Sequence, residues 1–165
     1  MTMKRLVTAA VLVVVLGMVA IAQRGSADSP VVGVWRVSEG TFTGPNARTV
    51  KNPQPGIVIF TPRYYSINAV TSDTPRPEMP VQNPTDKQRA DAFSSFTANA
   101  GTYSIKGNEI RYAIITAKNP RVMKPGNFAV DTFRMEGKNT LWLTDKADER
   151  GPVANPSTAK LTRVE

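Results

Sequence analysis

Residues 84–105, PTDKQRADAFSSFTANAGTYSI, contain the clearest helical pattern of the chain and run directly into a predicted strand. Thr85 and Gln88 have the spacing of a capping box, in which each side chain bonds a backbone N–H of the first turn. Phe93 and Phe96 belong to a narrow apolar stripe at helical spacing. The segment therefore predicts a short amphipathic helix with these two aromatic side chains on its buried face.

The same segment predicts a junction between this helix and a strand. Gly101 is a residue at which a helix ends readily, and residues 102–105 alternate as a strand does. A single short helix among many strands is typical of a cover over one mouth of a sheet or barrel. We therefore expect Phe93 and Phe96 to be the inward anchors of that cover.

The rest of the chain indicates an all-β fold, because short apolar segments alternate with turns rich in Pro and Gly. The predicted strands are residues 31–38, 56–61, 64–70, 101–105, 109–116, 128–135, 140–144 and 157–164, with at most a short extra strand around 48–50. About eight strands at this spacing predict a sandwich or an up-and-down antiparallel barrel. Residues 71–83 contain three prolines and predict an extended loop, either a lid or simply mobile.

The first residues predict export. A basic start at Lys4 and Arg5 precedes an apolar run that ends in the small-x-small sequence 20–22, so residues 1–22 are predicted to be a signal peptide. Cleavage after Ala27 and an uncleaved membrane anchor are the alternatives. Residues 23–30 are then predicted to be a polar tether and residues 31–165 the folded domain. This domain is expected to be periplasmic or secreted. Membrane contact is expected only through an uncleaved leader, and the sequence does not indicate the oligomeric state.

The composition excludes several classes of chemistry. The chain has no Cys and no His, which excludes disulfides, thiol catalysis, the usual zinc sites and His-dependent triads. Loss of Lys4 and Arg5 with the leader would leave 19 basic and 13 acidic residues, a formal charge of +6. These basic residues are scattered singly, which argues against nucleic-acid binding. No cofactor and no metal site are predicted.

Four segments, in this order, resemble the lipocalin-type barrels, and more narrowly the bacterial and fungal lipocalin-like domain family. They are the Gly-x-Trp sequence 33–35, the hairpin GIVIFTPRYY at 56–65, the helix-to-strand junction 92–103 and the terminal Leu-Thr-Arg at 161–163. The resemblance implies an eight-stranded barrel whose base is closed by Trp35, with Arg163 packed near it. It also implies a binding protein more than a defined reaction.

A barrel of eight strands can hold one small ligand, so the first hypothesis is a carrier of a small apolar or amphipathic molecule. The candidate ligand-binding residues are Tyr65, Ile67, Phe93, Phe96, Tyr103, Arg111, Ile115, Phe133 and Trp142, and Ile105 and Ala113 complete the predicted lining. Ordinary core packing is the alternative role of each aromatic side chain. Arg111 or Arg134 could pair with a carboxylate head group. A slip of one residue would exchange the inward and outward members of any strand.

Two other hypotheses are open. A small barrel enzyme of the isomerase or dehydratase type would use acidic and phenolic groups as acid and base. Its candidate residues are Tyr65, Tyr103, Glu109, Tyr112 and Asp131. An envelope interaction module without a ligand is the third hypothesis, and it predicts an exposed apolar patch in place of a cavity.

Overall fold

The computed structural model describes residues 23–24 and 28–165, so the predicted signal peptide at 1–22 lies outside the described residues. The described strands are β1 Gln23–Arg24, β2 Gly33–Phe42, β3 Arg48–Lys51, β4 Gly56–Phe60, β5 Tyr64–Val70, β6 Phe96–Lys106, β7 Glu109–Ala117, β8 Phe128–Glu136, β9 Thr140–Asp148, β10 Gly151–Pro152 and β11 Ser157–Arg163. Helix α1 spans Asp86–Ser94, and short 3-10 helices span Gly44–Asn46 and Pro120–Met123.

Eight of these strands close into an antiparallel barrel. Their order is β6-β5-β4-β2-β11-β9-β8-β7, and pairing of β7 with β6 completes the ring. The three remaining strands extend it: β3 pairs with β2, β10 with β9, and β1 with β6. The predicted all-β barrel with one short helix is confirmed. The β1 pairing also shows that part of the segment predicted as a tether belongs to the sheet.

One end of the barrel is filled by side chains. Trp35 is fully buried there and donates its indole N–H to the carbonyl of Val31 at 2.8 Å. Phe60 packs edge-on against Tyr103, with ring centroids 5.2 Å apart. Ile110, Leu141 and Leu161 are also fully buried at this end. These residues lie where β2 begins and β11 ends, so the opposite end is the open mouth.

Arg163 seals the closed end from outside. Its guanidinium lies 4.1 Å from the centroid of Trp35 and donates to the carbonyls of Pro30, Val32 and Lys138 at 2.8–2.9 Å. Gly33 has a φ of 145°, and a Cβ there would overlap this guanidinium. The contact explains why the sequence places a glycine two residues before the buried tryptophan.

Strand β6 begins earlier than predicted. Helix α1 ends at Ser94, and Phe96 already pairs with Val70 of β5. Gly101 is therefore not the helix terminus but lies at a register shift between β6 and β7, where a Cβ would overlap the carbonyl oxygen of Ala113. A glycine that permits close backbone approach at a bulge gives the same local sequence signal as one that ends a helix.

Helix α1 has the predicted cap but not the predicted packing. Thr85 and Gln88 form the capping box, with bonds of 3.2 and 2.9 Å. However, the helix contains no buried residue, and Phe93 is 53% exposed. The expectation that Phe93 is an inward anchor is therefore wrong. Its ring instead lies 4.2 Å from the ammonium of Lys118, which bonds the carbonyls of Phe93 and Phe96.

Residues 71–85 contain no helix or strand, in agreement with the predicted loop. No helix among the described residues has the length and apolar character needed to span a bilayer.

Candidate functional site

The open half of the barrel contains two adjoining cavities. The β2-side cavity, of about 340 Å³, lies among β2, β4, β5, β9 and β11, and the β7-side cavity, of about 350 Å³, lies among β5, β6, β7 and β8. Four residues line both cavities: Ile67, Thr97, Asp131 and Asp145. Because they share this wall, the two cavities are halves of one lumen that opens toward the mouth.

The β2-side cavity has apolar walls. Its lining includes Val37, Val58, Ile67, Leu143 and Leu161. Three of these side chains are buried, so they belong both to the core and to the cavity surface. Apolar walls of this kind suit the body of a small organic ligand.

The β7-side cavity contains the polar groups of the lumen. Tyr112 donates its hydroxyl to Oδ2 of Asp131 at 3.0 Å. The ring of Tyr65 is tilted against that of Tyr112, with centroids 4.7 Å apart. The hydroxyl of Tyr65 is buried and has no hydrogen-bond partner among the described residues. An unpaired buried hydroxyl is costly, so this one marks a place where a ligand or water group would be stabilised.

Asp131 lies opposite another carboxylate. Its partner in the β8–β9 pairing is Asp145, next to a register shift in β8. Asp145 is exposed and accepts hydrogen bonds from the Ser157 backbone N–H at 3.2 Å and hydroxyl at 2.5 Å. Like charges directly opposite on one sheet face destabilise the pair unless one of them is neutralised.

The electrostatics of these groups follow from burial. Burial, together with the charge of Asp145, raises the pKa of the Asp131 carboxyl from 3.8 to about 7, while the hydrogen bond from Tyr112 acts in the opposite direction. Burial and the charge of Asp131 raise the pKa of both Tyr65 and Tyr112 above 10.0. Asp131 therefore exchanges a proton near neutral pH, and both phenols stay protonated.

Two basic side chains also line the lumen, and both are engaged elsewhere. Lys118, in the β7-side cavity, bonds the carbonyls that end helix α1. Arg48, in the β2-side cavity, pairs with Asp73 at 3.3 Å and lies over the ring of Phe42. Neither forms an ion pair with Asp131 or Asp145.

The structure separates the predicted ligand-binding residues into three groups. Tyr65 and Ile67 line the lumen. Tyr103 and Phe133 face inward but pack in the core, where Tyr103 donates to the carbonyl of Thr61 at 2.7 Å. Ile105 packs against the same core. These positions agree with the predicted inward register of β5, β6 and β8.

The remaining predicted residues lie on the outer surface. Ile115 is 61% exposed, and Arg111 lies over the ring of Phe128 at 3.5 Å. Trp142 donates to Glu136 and lies between two cations. The predicted inward positions of these three are therefore wrong, as is that of Ala113, which is exposed. Each is displaced by one residue from the inward register of β7 or β9.

Phe96 also lies outside the lumen. Arg76 covers its ring at 5.0 Å. Phe96 lines a groove of about 660 Å³ that includes Arg36 and Ile57 on the outer face and shares Val37, Pro53 and Val70 with the β2-side cavity. The predicted inward position of Phe96 is therefore wrong too. Its residue type fits either side of the strand, because the outer face of this barrel also carries aromatic side chains.

Several lumen residues were absent from the predicted ligand site. Asp131 and Tyr112 are predicted only as catalytic candidates, and Thr97, Lys118 and Asp145 are not among the predicted site residues. Period-two alternation contained a signal for both carboxylates: Asp131 is two residues from Phe133, and Asp145 continues the buried series Leu141 and Leu143. Polar residues in line with an apolar series indicate a lumen rather than a core.

The donor set does not resemble a metal centre. In residues 23–24 and 28–165 no group of three or more His, Cys, Asp or Glu side chains is placed to hold an ion. The two lumen carboxylates bond hydroxyl groups instead.

Solved structures similar to this chain include two Bacteroides proteins and a designed barrel. A lipocalin-like protein from Bacteroides uniformis matches with a TM-score of 0.46 and 14% identity, over 82% of this chain and 99% of that one. An uncharacterised Bacteroides eggerthii protein matches with a TM-score of 0.41 and 12% identity, over 80% and 98%. A de novo fluorescence-activating β-barrel matches with a TM-score of 0.36 and 12% identity, over 80% and 92%.

Among curated proteins, none matches this sequence. The lipocalin-like domain family, by contrast, matches residues 32–150, which include β2 to β9 and therefore most of the barrel. The chain belongs to the lipocalin-like domain family.

Proposed function

We propose that this protein is an exported lipocalin-like carrier that binds a small amphipathic molecule in the open half of its barrel. The observation that carries the proposal is the lumen itself, with two adjoining cavities of about 340 and 350 Å³. Each is within the size range of small-molecule sites, and apolar walls with a few convergent polar groups are typical of such sites. The filled closed end supplies the rigid base against which a ligand would rest.

The proposal is tested by uptake of N-phenyl-1-naphthylamine, a neutral apolar dye that fluoresces on leaving water. We expect saturable fluorescence with the purified protein. Thr97 lines both cavities, so the larger side chain of Thr97→Trp should occupy part of the space where they adjoin. We therefore expect dye binding to weaken at least about tenfold. Thr116→Trp, at an exposed position of β7, is the matched control and should bind as the unmodified protein does.

Two results would contradict the carrier function. One is no saturable dye uptake by the unmodified protein. The other is that both tryptophan variants lose dye binding equally, or that neither variant loses it. The interaction-module hypothesis would gain from the first result, because it requires no cavity.

A second candidate function is acid–base catalysis of the isomerase or dehydratase type. It is favoured by the hydrogen bond between Tyr112 and Asp131 inside the lumen, beside the unpaired hydroxyl of Tyr65. A carboxyl with a pKa of about 7 is close to the optimum for a general base at neutral pH. Asp131 would remove a proton from the ligand, and the phenol of Tyr65 would stabilise the oxyanion that forms.

The catalytic function is tested by deuterium exchange next to a carbonyl group. Cyclohexanone in D2O should lose its α-proton signals faster with the protein than in buffer, and Asp131→Asn should abolish the difference. Asp28→Asn, which makes the same change at an exposed residue, should retain it. Exchange at the buffer rate, or exchange that survives Asp131→Asn, would exclude Asp131 as a base toward this ketone.

A further inference from the structure

Among residues 28–165, the carboxylates at the shared wall of the lumen have no cationic partner. Asp131 and Asp145 face each other in the β8–β9 pairing and line both cavities. Their hydrogen-bond donors are the neutral groups of Tyr112 and Ser157. Neither carboxylate takes part in an ion pair within residues 28–165. The lumen thus holds two acidic groups that form no ion pair with any other described residue.

The basic residues around the lumen do not supply that compensation. Lys118 is held by two backbone carbonyls at the end of α1, and Arg48 by Asp73 at the rim. Arg111 and Arg134, which the sequence suggested as partners of a ligand carboxylate, lie on the outer face beside Phe128 and Trp142. Within the described part of the chain, each basic side chain that lines the lumen is already engaged, so an anionic head group would find no available partner among them.

A separate observation at the same wall points to a ligand. Tyr65 is only 3% exposed and lines the β7-side cavity, and its hydroxyl oxygen has no hydrogen-bond partner in the part of the chain that the structure describes. Its neighbour Tyr112 already uses its own hydroxyl proton for Asp131. A group rich in N–H donors would satisfy the Tyr65 oxygen and the carboxylate oxygens together, as an ammonium does with its three donors and no acceptor.

We propose that the ligand of this barrel is an organic cation, a small amphipathic amine whose ammonium group binds between Asp131, Asp145 and the Tyr65 hydroxyl while its apolar body lies in the β2-side cavity. The inference rests on the proposed carrier function and specifies the chemical class of the ligand. The apolar body would contact Val58, Leu143 and Leu161, which line that cavity. Charge-assisted hydrogen bonds in a partly desolvated site are the strong ones, so the head group would dominate the discrimination.

The test compares three compounds that share an indole ring and differ in the charge of the side chain. They are tryptamine, which is a cation, tryptophol, which is neutral, and indole-3-propionate, which is an anion. Isothermal titration calorimetry measures their affinities for the purified protein, with the N-terminus as the expressing host processes it. The affinities should decrease in that order. We expect tryptamine to bind at least about tenfold more tightly than tryptophol, and indole-3-propionate to be the weakest.

Variants locate the head group. Asp131→Asn and Asp145→Asn should each weaken tryptamine binding about five- to tenfold or more, and leave tryptophol binding within about twofold. Asp28→Asn removes the same charge from an exposed residue at the closed end and should change neither. Circular dichroism spectra show whether each variant retains the barrel, and the comparison of the three compounds on the unmodified protein does not depend on any variant.

The outcomes separate this inference from the carrier function. Equal binding of all three compounds, or tightest binding of indole-3-propionate, would overturn the cation inference while leaving a binding barrel. A preference for tryptamine that persists in both Asn variants would also overturn the cation inference, because the residues that select the cation would then lie outside the lumen. Failure of all three compounds together with failure of N-phenyl-1-naphthylamine would overturn the carrier function as well.

Discussion

Asp131 is a carboxyl held largely out of water, and its protonation links the lumen to the stability of the fold. Its pKa of about 7 in the folded protein lies above its ordinary value of 3.8. The folded chain therefore holds a proton that the unfolded chain has lost between about pH 4 and pH 7, so the free energy of unfolding falls as pH rises through that window. A pKa shift of this size corresponds to a loss of about 4 kcal/mol in the free energy of unfolding, as an upper bound.

Asp131→Asn should remove that dependence. The amide keeps an oxygen for the hydroxyl of Tyr112 but cannot ionise, so we expect the variant to be more stable than the parent by about 2–4 kcal/mol near pH 8. Near pH 4 the two should be alike, because the carboxyl is then neutral in the folded parent. Urea unfolding at both pH values measures this. A variant less stable than the parent at pH 8 would show that Asp131 is not destabilised by burial, and Asp28→Asn controls for loss of charge.

Arg163 has the opposite role, since it stabilises the closed end. Lysine in its place would keep the charge but lose the planar guanidinium. That group lies over the ring of Trp35 and donates to the carbonyls of Pro30, Val32 and Lys138. We expect Arg163→Lys to lower the free energy of unfolding by about 2–3 kcal/mol, and Arg163→Ala by somewhat more. Urea titration measures both. Arg134→Ala, on an exposed side chain, should cost under about 0.5 kcal/mol, and an equal cost for the two alanine variants would refute this role.

At the scale of the element, the closure between β6 and β7 depends on Gly101. A methyl group there would overlap the carbonyl oxygen of Ala113, which belongs to the backbone and cannot move alone. Gly101→Ala should therefore destabilise the barrel by about 3 kcal/mol or more, measured by thermal and urea unfolding. Gly40→Ala is the matched control, because its nearest neighbour is a side-chain carbon of Phe42 at 3.4 Å. Similar costs for the two substitutions would contradict the close approach of β6 and β7.

The elements also show what the sequence can and cannot specify. Turn residues predicted β5 with its observed bounds, and the capping box predicted where α1 begins. The inward register of β7 was not predictable, because both of its faces carry apolar side chains: Ile110 and Tyr112 face inward, and Ala113 and Ile115 outward. In β9 Trp142 was predicted to line the lumen, but its ring covers the outer face between Arg134 and Lys160. Alternation with the buried Leu141 and Leu143 places Trp142 on that outer face.

At the scale of the whole molecule, the barrel combines a filled end with an acidic, open half. The filled end was predictable, because its tryptophan, arginine and glycine occur in sequence patterns that resemble the family. The lumen was not, because it arises where Asp131 and Asp145 from neighbouring strands meet Tyr65 from the other side of the barrel. Contacts of that kind depend on the closure of the ring and on the register of every strand, and no local pattern reports them.

The central claim, that the acidic lumen is the ligand site, is tested most directly by mapping tryptamine on the protein by NMR. In ¹⁵N–¹H spectra of the labelled protein, titrated to about 1 mM tryptamine, we expect saturable shifts at the amides of Ile67, Thr97 and Asp131. The amides of Arg111 and Trp142, on the outer face, should not change. Shifts confined to the outer face, or no shifts anywhere, would contradict the claim.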